Sequence, residues 1–136
     1  MNSGAIAAKG ISIKGCTFYG NSSAYMNGAI NGGALEGNLF YGNTAPSWPV
    51  SRDSFSNGYN VVDVPLGTRN TQSGWEAATG DATFSSLGIS GAPVNTVTFA
   101  PVSGLGSVIP SAPTGFPTTD FYGNTRTWPG APGAVK

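Results

Sequence analysis

The tetrapeptide Phe18-Tyr19-Gly20-Asn21 recurs 22 residues further along the chain as Phe40-Tyr41-Gly42-Asn43, and two small residues follow each copy. Alignment of the two copies matches further pairs just upstream, namely Ile13 with Leu35, Lys14 with Glu36 and Gly15 with Gly37. A period in the low twenties, with short alternating segments separated by glycine and asparagine, is too short for a helix-pair repeat. The repeat therefore predicts strands that stack from one copy to the next.

A second marker locates a change of length inside the repeat. Gly4-Ala5-Ile6 recurs as Gly28-Ala29-Ile30, 24 residues on instead of 22. The two extra residues are predicted between the markers, in the glycine-containing stretches that precede Ile11 and Leu35.

Stacking is expected to place like residues on one another, because one short copy cannot bury its own apolar face. Asparagine at the bend tolerates left-handed backbone angles and can form hydrogen bonds along the stack. The predicted stacked pairs are Ile13 over Leu35, Phe18 over Phe40, and Asn21 over Asn43.

Three segments carry a resemblance to a known family. The pattern Gly-Ala-Ile followed by the segment 11–23 resembles the repeats of right-handed parallel β-helix proteins of the pectate-lyase-like superfamily. The segment 56–63, Ser-Asn-Gly-Tyr-Asn-Val-Val-Asp, and the ending 117–126 with Gly133-Ala134-Val135, resemble the last part of bacterial choice-of-anchor Q surface proteins. The resemblance implies the end of a β-helix from a secreted or cell-surface protein, and it implies no catalysis.

The fold expected from the repeat and the resemblance is all-β. It is a short right-handed parallel β-helix of two to three rungs over residues 1–64, followed by an irregular Gly/Pro-rich C-terminal cap over residues 65–136. Residues 60–64 are the expected third strand, with Val61 facing inward, and residues 94–99 have the strongest β-propensity of the second half. Trp75, Phe84 and Leu87 are the expected buried anchors of the cap, which should cover the edges of the last rung. The third Phe-Tyr-Gly-Asn, at 121–124, is assigned to the terminal motif, with Asp120 and Arg126 pairing across a turn.

Composition excludes several classes of function. The 136 residues hold six basic and six acidic side chains and no histidine. Without net charge the chain has no field to attract nucleic acid or anionic lipid, and without histidine it cannot form a Ser-His-Asp triad or a His-rich zinc site. The single cysteine, Cys16, cannot form an internal disulfide and is expected to be a small buried apolar residue. The sequence contains no apolar run of membrane-spanning length and no signal-peptide pattern at its start, so any export signal is expected upstream of this sequence.

Carboxylates offer no recognisable catalytic arrangement. The six are Glu36, Asp53, Asp63, Glu76, Asp81 and Asp120. A glycosidase needs two of them facing one bond, and the spacing predicts no such pair. Lys14 and Glu36 are expected to form a surface ion pair, and Asp63 and Asp81 lack the multi-carboxylate loop of a calcium site. We therefore expect no catalytic residues, no metal and no cofactor. A lysine does not follow the glycines at 32–33 or 104–106, so these make a poor phosphate site.

Aromatic side chains are the remaining candidates for ligand binding. Three tryptophans in loops, together with the alternating tyrosines of the repeat, could stack on sugar rings: Trp48, Trp75, Trp128, Tyr19 and Tyr41. The alternative is structural, with the tryptophans buried in the cap and the tyrosines coating a strand.

Three functions remain open. They are a non-enzymatic structural or adhesive module, a carbohydrate-active enzyme or its remnant, and a carbohydrate-binding module. The expected partner is a polysaccharide or another surface protein, with no nucleic acid and no membrane insertion. Self-association through the uncapped N-terminal rung is a further expectation.

Overall fold

The computed structural model describes residues 4–7, 10–64 and 78–136. The described residues contain eight short β-strands, one 3₁₀ helix and no α-helix. The strands are β1 (Ile6–Ala7), β2 (Ser12–Lys14), β3 (Thr17–Tyr19), β4 (Ile30–Glu36), β5 (Leu39–Tyr41), β6 (Ser51–Gly58), β7 (Val61–Val62) and β8 (Ala82–Thr83), and the 3₁₀ helix is Ser85–Leu87. The expectation of an all-β chain is confirmed. No helix in the described ranges has the length and apolar character needed to cross a membrane.

The strands form two sheets in which every named pair is parallel. In the first sheet, β4 pairs with β1, β2 and β6; in the second, the order is β3-β5-β7-β8. We call residues 4–23, 26–45 and 48–64 the first, second and third copies of the repeat. Apart from β8, which follows the third copy, each sheet takes its neighbouring strands from successive copies, which is the arrangement that the repeat predicts.

The register of β4 confirms where the length of the repeat changes. Ala7 pairs with Asn31, and Ser12 pairs with Ala34. Four residues, 8–11, therefore separate β1 from β2, where the second copy has only Gly32 and Gly33. The first copy holds its two extra residues at this point.

The predicted stacked pairs are adjacent in the core between the sheets. Ile13 pairs in register with Leu35, and Phe18 with Phe40. The two phenylalanine rings lie 5.0 Å apart between centroids and are inclined by only 8°. The core contains these four side chains together with Ala29, Ile30, Val50 and Val62.

Amide side chains connect the copies on one side of this core. Asn38 Oδ1 accepts a hydrogen bond from Cys16 N, Asn60 Oδ1 accepts one from Asn38 N, and Asp81 Oδ1 accepts one from Asn60 N. We call Cys16, Asn38, Asn60 and Asp81 the amide ladder. The Nδ2 groups of Asn38 and Asn60 also donate to backbone carbonyls of the preceding copy, those of Ile13 and Leu35. Each asparagine thus satisfies both a donor and an acceptor that the strands leave buried.

A second amide contact links Asn21 to Asn43, as predicted. Asn43 Oδ1 accepts hydrogen bonds from Asn21 N at 3.1 Å and from Asn21 Nδ2 at 2.9 Å. The left-handed conformation at this bend is taken by the preceding glycines, Gly20 and Gly42, with φ of 64° and 65°, and not by the asparagines. Glycine adopts positive φ at no steric cost, so the asparagines remain free to bond along the stack.

The third copy contains β7, which the sequence predicts, and β6, which the sequence does not indicate. β7 lies within the predicted segment 60–64 and buries both Val61 and Val62. Val62 faces the core between the sheets, whereas Val61 faces the cap, so the expectation that Val61 points inward was wrong. The longer β6 precedes β7 and pairs with β4 over most of its length. Its sequence, SRDSFSNG, lacks apolar alternation, so only its pairing with β4 reveals it.

Two expectations about the second half need correction. Residues 94–99 form no strand: Val94 makes an isolated bridge to Pro101, and Asn95 Oδ1 accepts hydrogen bonds from Val97 N and Thr98 N. This local bonding by asparagine competes with strand formation. Asp120 and Arg126 form no ion pair within 4.0 Å among the described residues. They bond to backbone groups instead, as described below.

The cap packs along the side of the copies. Phe84 is buried as predicted and Leu87 is half-buried, while Trp75 lies outside the described residues. A second core joins the outer face of the second sheet to the cap through Leu39, Val61, Phe84, Val94, Leu105 and Ala131. The cap reaches the first copy, where Ala134 N donates to Thr17 Oγ1 at 2.9 Å. In the second sheet the described cap does cover the edge of the third copy, as expected, because residues 79–84 bond to residues 59–62, and the rest of the described cap lies along the side of the copies. β8, which follows residue 64, also pairs with β7, so the second sheet continues past the expected boundary.

Candidate functional site

The largest group of exposed aromatic side chains lies where the cap meets the second sheet. We call Tyr19, Val97, Phe99, Phe121 and Tyr122 the aromatic surface. Their exposed fractions are 38%, 83%, 36%, 78% and 56%. A groove of about 370 Å³ runs through this surface and is lined by Thr17, Val97, Thr98, Phe99, Phe121, Tyr122, Ala134 and Val135. Contiguous exposed apolar surface of this kind marks interaction sites and ligand grooves.

The repeat supplies one side of the aromatic surface. Tyr19 and Tyr41 are in register on β3 and β5, with ring centroids 5.7 Å apart and planes inclined by 22°. Phe84 packs edge-on against Tyr41 at 5.9 Å, and Phe99 against Tyr19 at 6.0 Å. Tyr41 is therefore half-buried beneath the cap, and Tyr19 is the member of the stack that reaches the surface.

The loop 95–99 supplies the second part. Asn95 folds it by accepting hydrogen bonds from the next turn, and Phe99 N donates back to Asn95 O at 2.8 Å. Phe99 has a φ of 56°, a left-handed conformation that is uncommon for a bulky residue. The surrounding hydrogen bonds hold this strained conformation and fix the ring against Tyr19.

The turn 120–124 supplies the third part. Asp120 Oδ1 accepts hydrogen bonds from Tyr122 N at 3.0 Å and from Asn124 N at 2.8 Å. Burial acts to raise the pKa of Asp120, but the hydrogen bonds from Asn124, Lys136 and Tyr122 lower it below its ordinary value. The turn thereby directs Phe121 and Tyr122 outward, with their rings 5.3 Å apart in an edge-to-face contact. Tyr122 Oη donates to Thr98 O at 3.1 Å and ties the turn to the loop.

Arg126 holds this part of the cap from beneath. Its guanidinium is buried and donates to Gly133 O at 2.6 Å and to Ala131 O at 3.4 Å. Burial lowers the pKa of Arg126, and the charge of Asp120 opposes that shift. The side chain therefore fixes backbone and is not available to a ligand.

The tryptophans lie away from the aromatic surface. Arg52 covers one face of Trp48, with its Cζ 4.9 Å from the ring centroid, and Trp128 packs edge-to-face with Phe116 at 5.6 Å. Neither lines the groove, and Trp75 lies outside the described residues. Of the five predicted ring positions, the structure brings together Tyr19 and Tyr41, and the sugar-binding role of each remains a prediction.

Carboxylates are distributed over the described structure. Lys14 Nζ lies 2.8 Å from Glu36 Oε2, which confirms the expected ion pair. Asp63 Oδ2 accepts a hydrogen bond from Gly42 N, and burial raises the pKa of Asp63. Asp81 bonds to Ser56 and to the amide ladder. Three or more metal-ligating side chains do not converge anywhere in the described ranges. Glu76 falls outside them.

Cys16 packs at the margin of the core and is half-buried. Burial raises the pKa of its thiol, and the charge of Arg126 opposes the shift. A thiol in this environment is less nucleophilic than an exposed one, which agrees with the expected structural role.

A second groove, of about 490 Å³, crosses the outer face of the first sheet. Ile11 and Phe55 are exposed there by 49% and 64%, and Asp53 stands at its end with a φ of 55°. Asp53 also lies 3.6 Å from Arg52. This groove holds one aromatic ring, where the aromatic surface holds four.

Sequence reasoning did not identify Val97, Phe99, Phe121 or Tyr122 as site residues. Two local signals for these residues were present in the sequence. Asn95 begins a turn, and the third Phe-Tyr-Gly-Asn, at 121–124, has no partner strand among the described residues that would bury its phenylalanine. No family model, no curated protein and no solved structure matches this chain. The resemblance to β-helix surface proteins therefore rests on the motifs quoted above.

Proposed function

We propose that this chain is a non-enzymatic structural or adhesive module of a secreted or cell-surface protein, built as a short right-handed parallel β-helix. The strands of both sheets pair in parallel at offsets of 21 to 24 residues. Crossovers between parallel strands of one sheet are right-handed in about 98% of cases. The location outside the cell rests on the motif resemblance.

The observation that carries the adhesive role is the aromatic surface. Phe99, Phe121, Tyr122 and Val97 are exposed along one groove, and the exposed ring of Tyr19 packs against Phe99. Leaving this apolar area in water costs free energy, and adhesion to a partner would remove the cost. The rings are also held by the backbone hydrogen bonds of two turns, so they would lose little conformational entropy on binding.

The state of the acidic residues favours adhesion over the alternative of a carbohydrate-active enzyme. Glu36 is paired with Lys14, Asp120 holds the turn 120–124, and Asp81 ends the amide ladder. Each of these carboxylates has a structural partner, whereas a glycosidase requires two that face the scissile bond.

Adsorption of the whole chain to solid surfaces tests the proposed function. Labelled chain would be applied to insoluble polysaccharides, to protein-coated plates and to fixed cells. Retention on at least one surface is expected, with loss of retention in Phe121→Ala/Tyr122→Ala and full retention in the matched control Phe55→Ala, whose ring is exposed on the other sheet. Equal retention of all three proteins, or release of unsaturated or reducing products from the polysaccharides, would contradict the proposal.

Self-association belongs to the same proposal. In the described part of the chain, β1, β2 and β3 each pair on one side only, so their outer edges resemble templates for another strand. Light scattering over a range of concentrations should show a mass above that of one chain, and a constant monomer mass would oppose this expectation.

A further inference from the structure

We infer that the ligand of the aromatic surface is a neutral polysaccharide, an inference that rests on the proposed adhesive function and specifies its partner. The surface combines flat aromatic rings with hydroxyl groups at its margin. A sugar ring presents C–H bonds on its faces and hydroxyl groups around its edge. The face of an aromatic ring carries a negative quadrupole that attracts those C–H bonds.

The absence of charge in the groove selects a neutral ligand. All of the described residues that line it are uncharged. On the segments beside the groove, Arg126 donates to Gly133 O and Lys136 Nζ donates to Thr125 O. An acidic polysaccharide would bring carboxylates to a groove whose described lining offers no cation to receive them, and their desolvation would be uncompensated.

Polar groups at the margin suit sugar hydroxyls. Tyr122 Oη donates its proton to Thr98 O, which leaves its oxygen able to accept a hydrogen bond from a ligand. Thr17 Oγ1 accepts a hydrogen bond from Ala134 N and keeps its own proton to donate. The groove thus offers both a donor and an acceptor beside the rings.

The dimensions of the groove also favour a chain of sugars over a protein partner. Its volume of about 370 Å³ lies in the range of small-ligand sites, about 300–1,000 Å³. A stable protein interface needs roughly 20–30 residues from each partner, whereas eight described residues line this groove. A polysaccharide can occupy a groove of this size and continue beyond both ends.

Affinity gel electrophoresis of the whole chain would test the inference. Native gels would contain a neutral β-glucan, xylan, galactomannan or dextran, or polygalacturonate at the same mass concentration. We expect retardation by at least one neutral polysaccharide and none by polygalacturonate. Phe121→Ala/Tyr122→Ala should weaken the apparent affinity at least about tenfold, and Phe55→Ala should leave it unchanged.

Phe99→Gly provides a second variant that preserves the fold. Phe99 has a φ of 56°, which glycine adopts without strain, so this change removes a ring without imposing a backbone cost. Weaker retardation of this variant, with the far-UV circular dichroism of the parent retained, supports the inference, and unchanged retardation opposes it.

The outcomes separate the inference from the proposed function. Stronger retardation by polygalacturonate, or adsorption only to protein-coated plates in the earlier assay, would overturn the inference that the ligand is a neutral polysaccharide. Either result would leave the proposed adhesive role standing. No retardation and no adsorption to any surface would overturn both.

Discussion

Replacing Asn38 by leucine removes the central amide of the amide ladder while keeping a side chain of similar size. Asn38 is fully buried. Its Oδ1 accepts the Cys16 N–H at 2.9 Å, and its Nδ2 donates to Ile13 O at 2.9 Å. Leucine can replace neither bond, so one buried donor and one buried acceptor of the first copy would lose their partners.

The expected cost follows from those two groups. A buried polar group left without a partner costs about 1–3 kcal/mol, so losing the partners of two groups should lower the free energy of unfolding of Asn38→Leu by roughly 2–6 kcal/mol. At about 4 °C per kcal/mol for a chain of this length, that corresponds to a fall in Tm of roughly 8–24 °C. The matched control is Asn21→Ala, which removes a 2.9 Å bond to Asn43 from a half-buried residue. Water can replace that bond, and the expected loss is about 0.5–1.5 kcal/mol.

Urea unfolding followed by far-UV circular dichroism and tryptophan fluorescence would measure both changes. A loss below about 1 kcal/mol for Asn38→Leu, or one equal to that of Asn21→Ala, would refute the structural role of the amide ladder. Asn38→Asp provides a further measurement if the leucine variant does not fold. Its buried carboxyl should have a pKa raised by burial, so the variant should be stable at acidic pH and lose stability as the pH rises through that pKa.

Three other predictions concern the core, the cap and pH. Phe40→Ala should cost about 3–5 kcal/mol, because the ring is fully buried and stacked in the core; a loss below about 1 kcal/mol in urea unfolding would contradict the stacking. Gly37→Ala should lower Tm more than Gly20→Ala. Both glycines have φ near 60°, but a Cβ on Gly37 would lie 2.5 Å from Phe116, whereas a Cβ on Gly20 would meet nothing within 4 Å. Equal Tm values for the two variants would argue against close packing of the cap. The pKa of Asp120 is lower in the folded chain than in the unfolded chain, so its ionised carboxylate stabilises the fold above the unfolded pKa of about 3.9. This stabilisation is lost as the pH falls through the pKa of Asp120 in the folded chain. Acid titration of Asp120→Asn should therefore show a smaller loss of stability below about pH 4 than the parent, and identical acid titrations would oppose it.

The first two copies could be predicted from the sequence because the repeat gives local and long-range information at once. Phe18 and Phe40 have the same neighbours in sequence, so alignment alone gives their register. The Lys14–Glu36 pair follows from the same alignment. β6 could not be predicted in this way, since Ser51–Gly58 has neither apolar alternation nor an obvious counterpart. Its conformation depends on the strand beside it.

The candidate site was predicted only in part, for a related reason. Tyr19 and Tyr41 belong to the repeat, and their stacking follows from it. Phe99 and Phe121 join them through contacts between segments far apart in sequence, which no local pattern encodes. The failed strand at 94–99 shows the same limit, because the side chain of Asn95 outweighs the β-propensity of the residues after it.

The hydrogen bonds between members of the amide ladder run in one direction along the chain, and this direction determines where further copies of the repeat could be added. The Nδ2 group of each asparagine donates to a carbonyl of the preceding copy. Nδ2 and the backbone N–H also both donate to the next side chain along. The series ends at Asp81, whose carboxylate can accept hydrogen bonds but cannot donate them. A further 22-residue copy could therefore be inserted between Asn38 and Asn60 if it carried an asparagine at the matching position. Added after Asp81, the same copy would receive no side-chain hydrogen bond, because a carboxylate cannot donate one, and the Asp81 N–H already donates to Ala78 O.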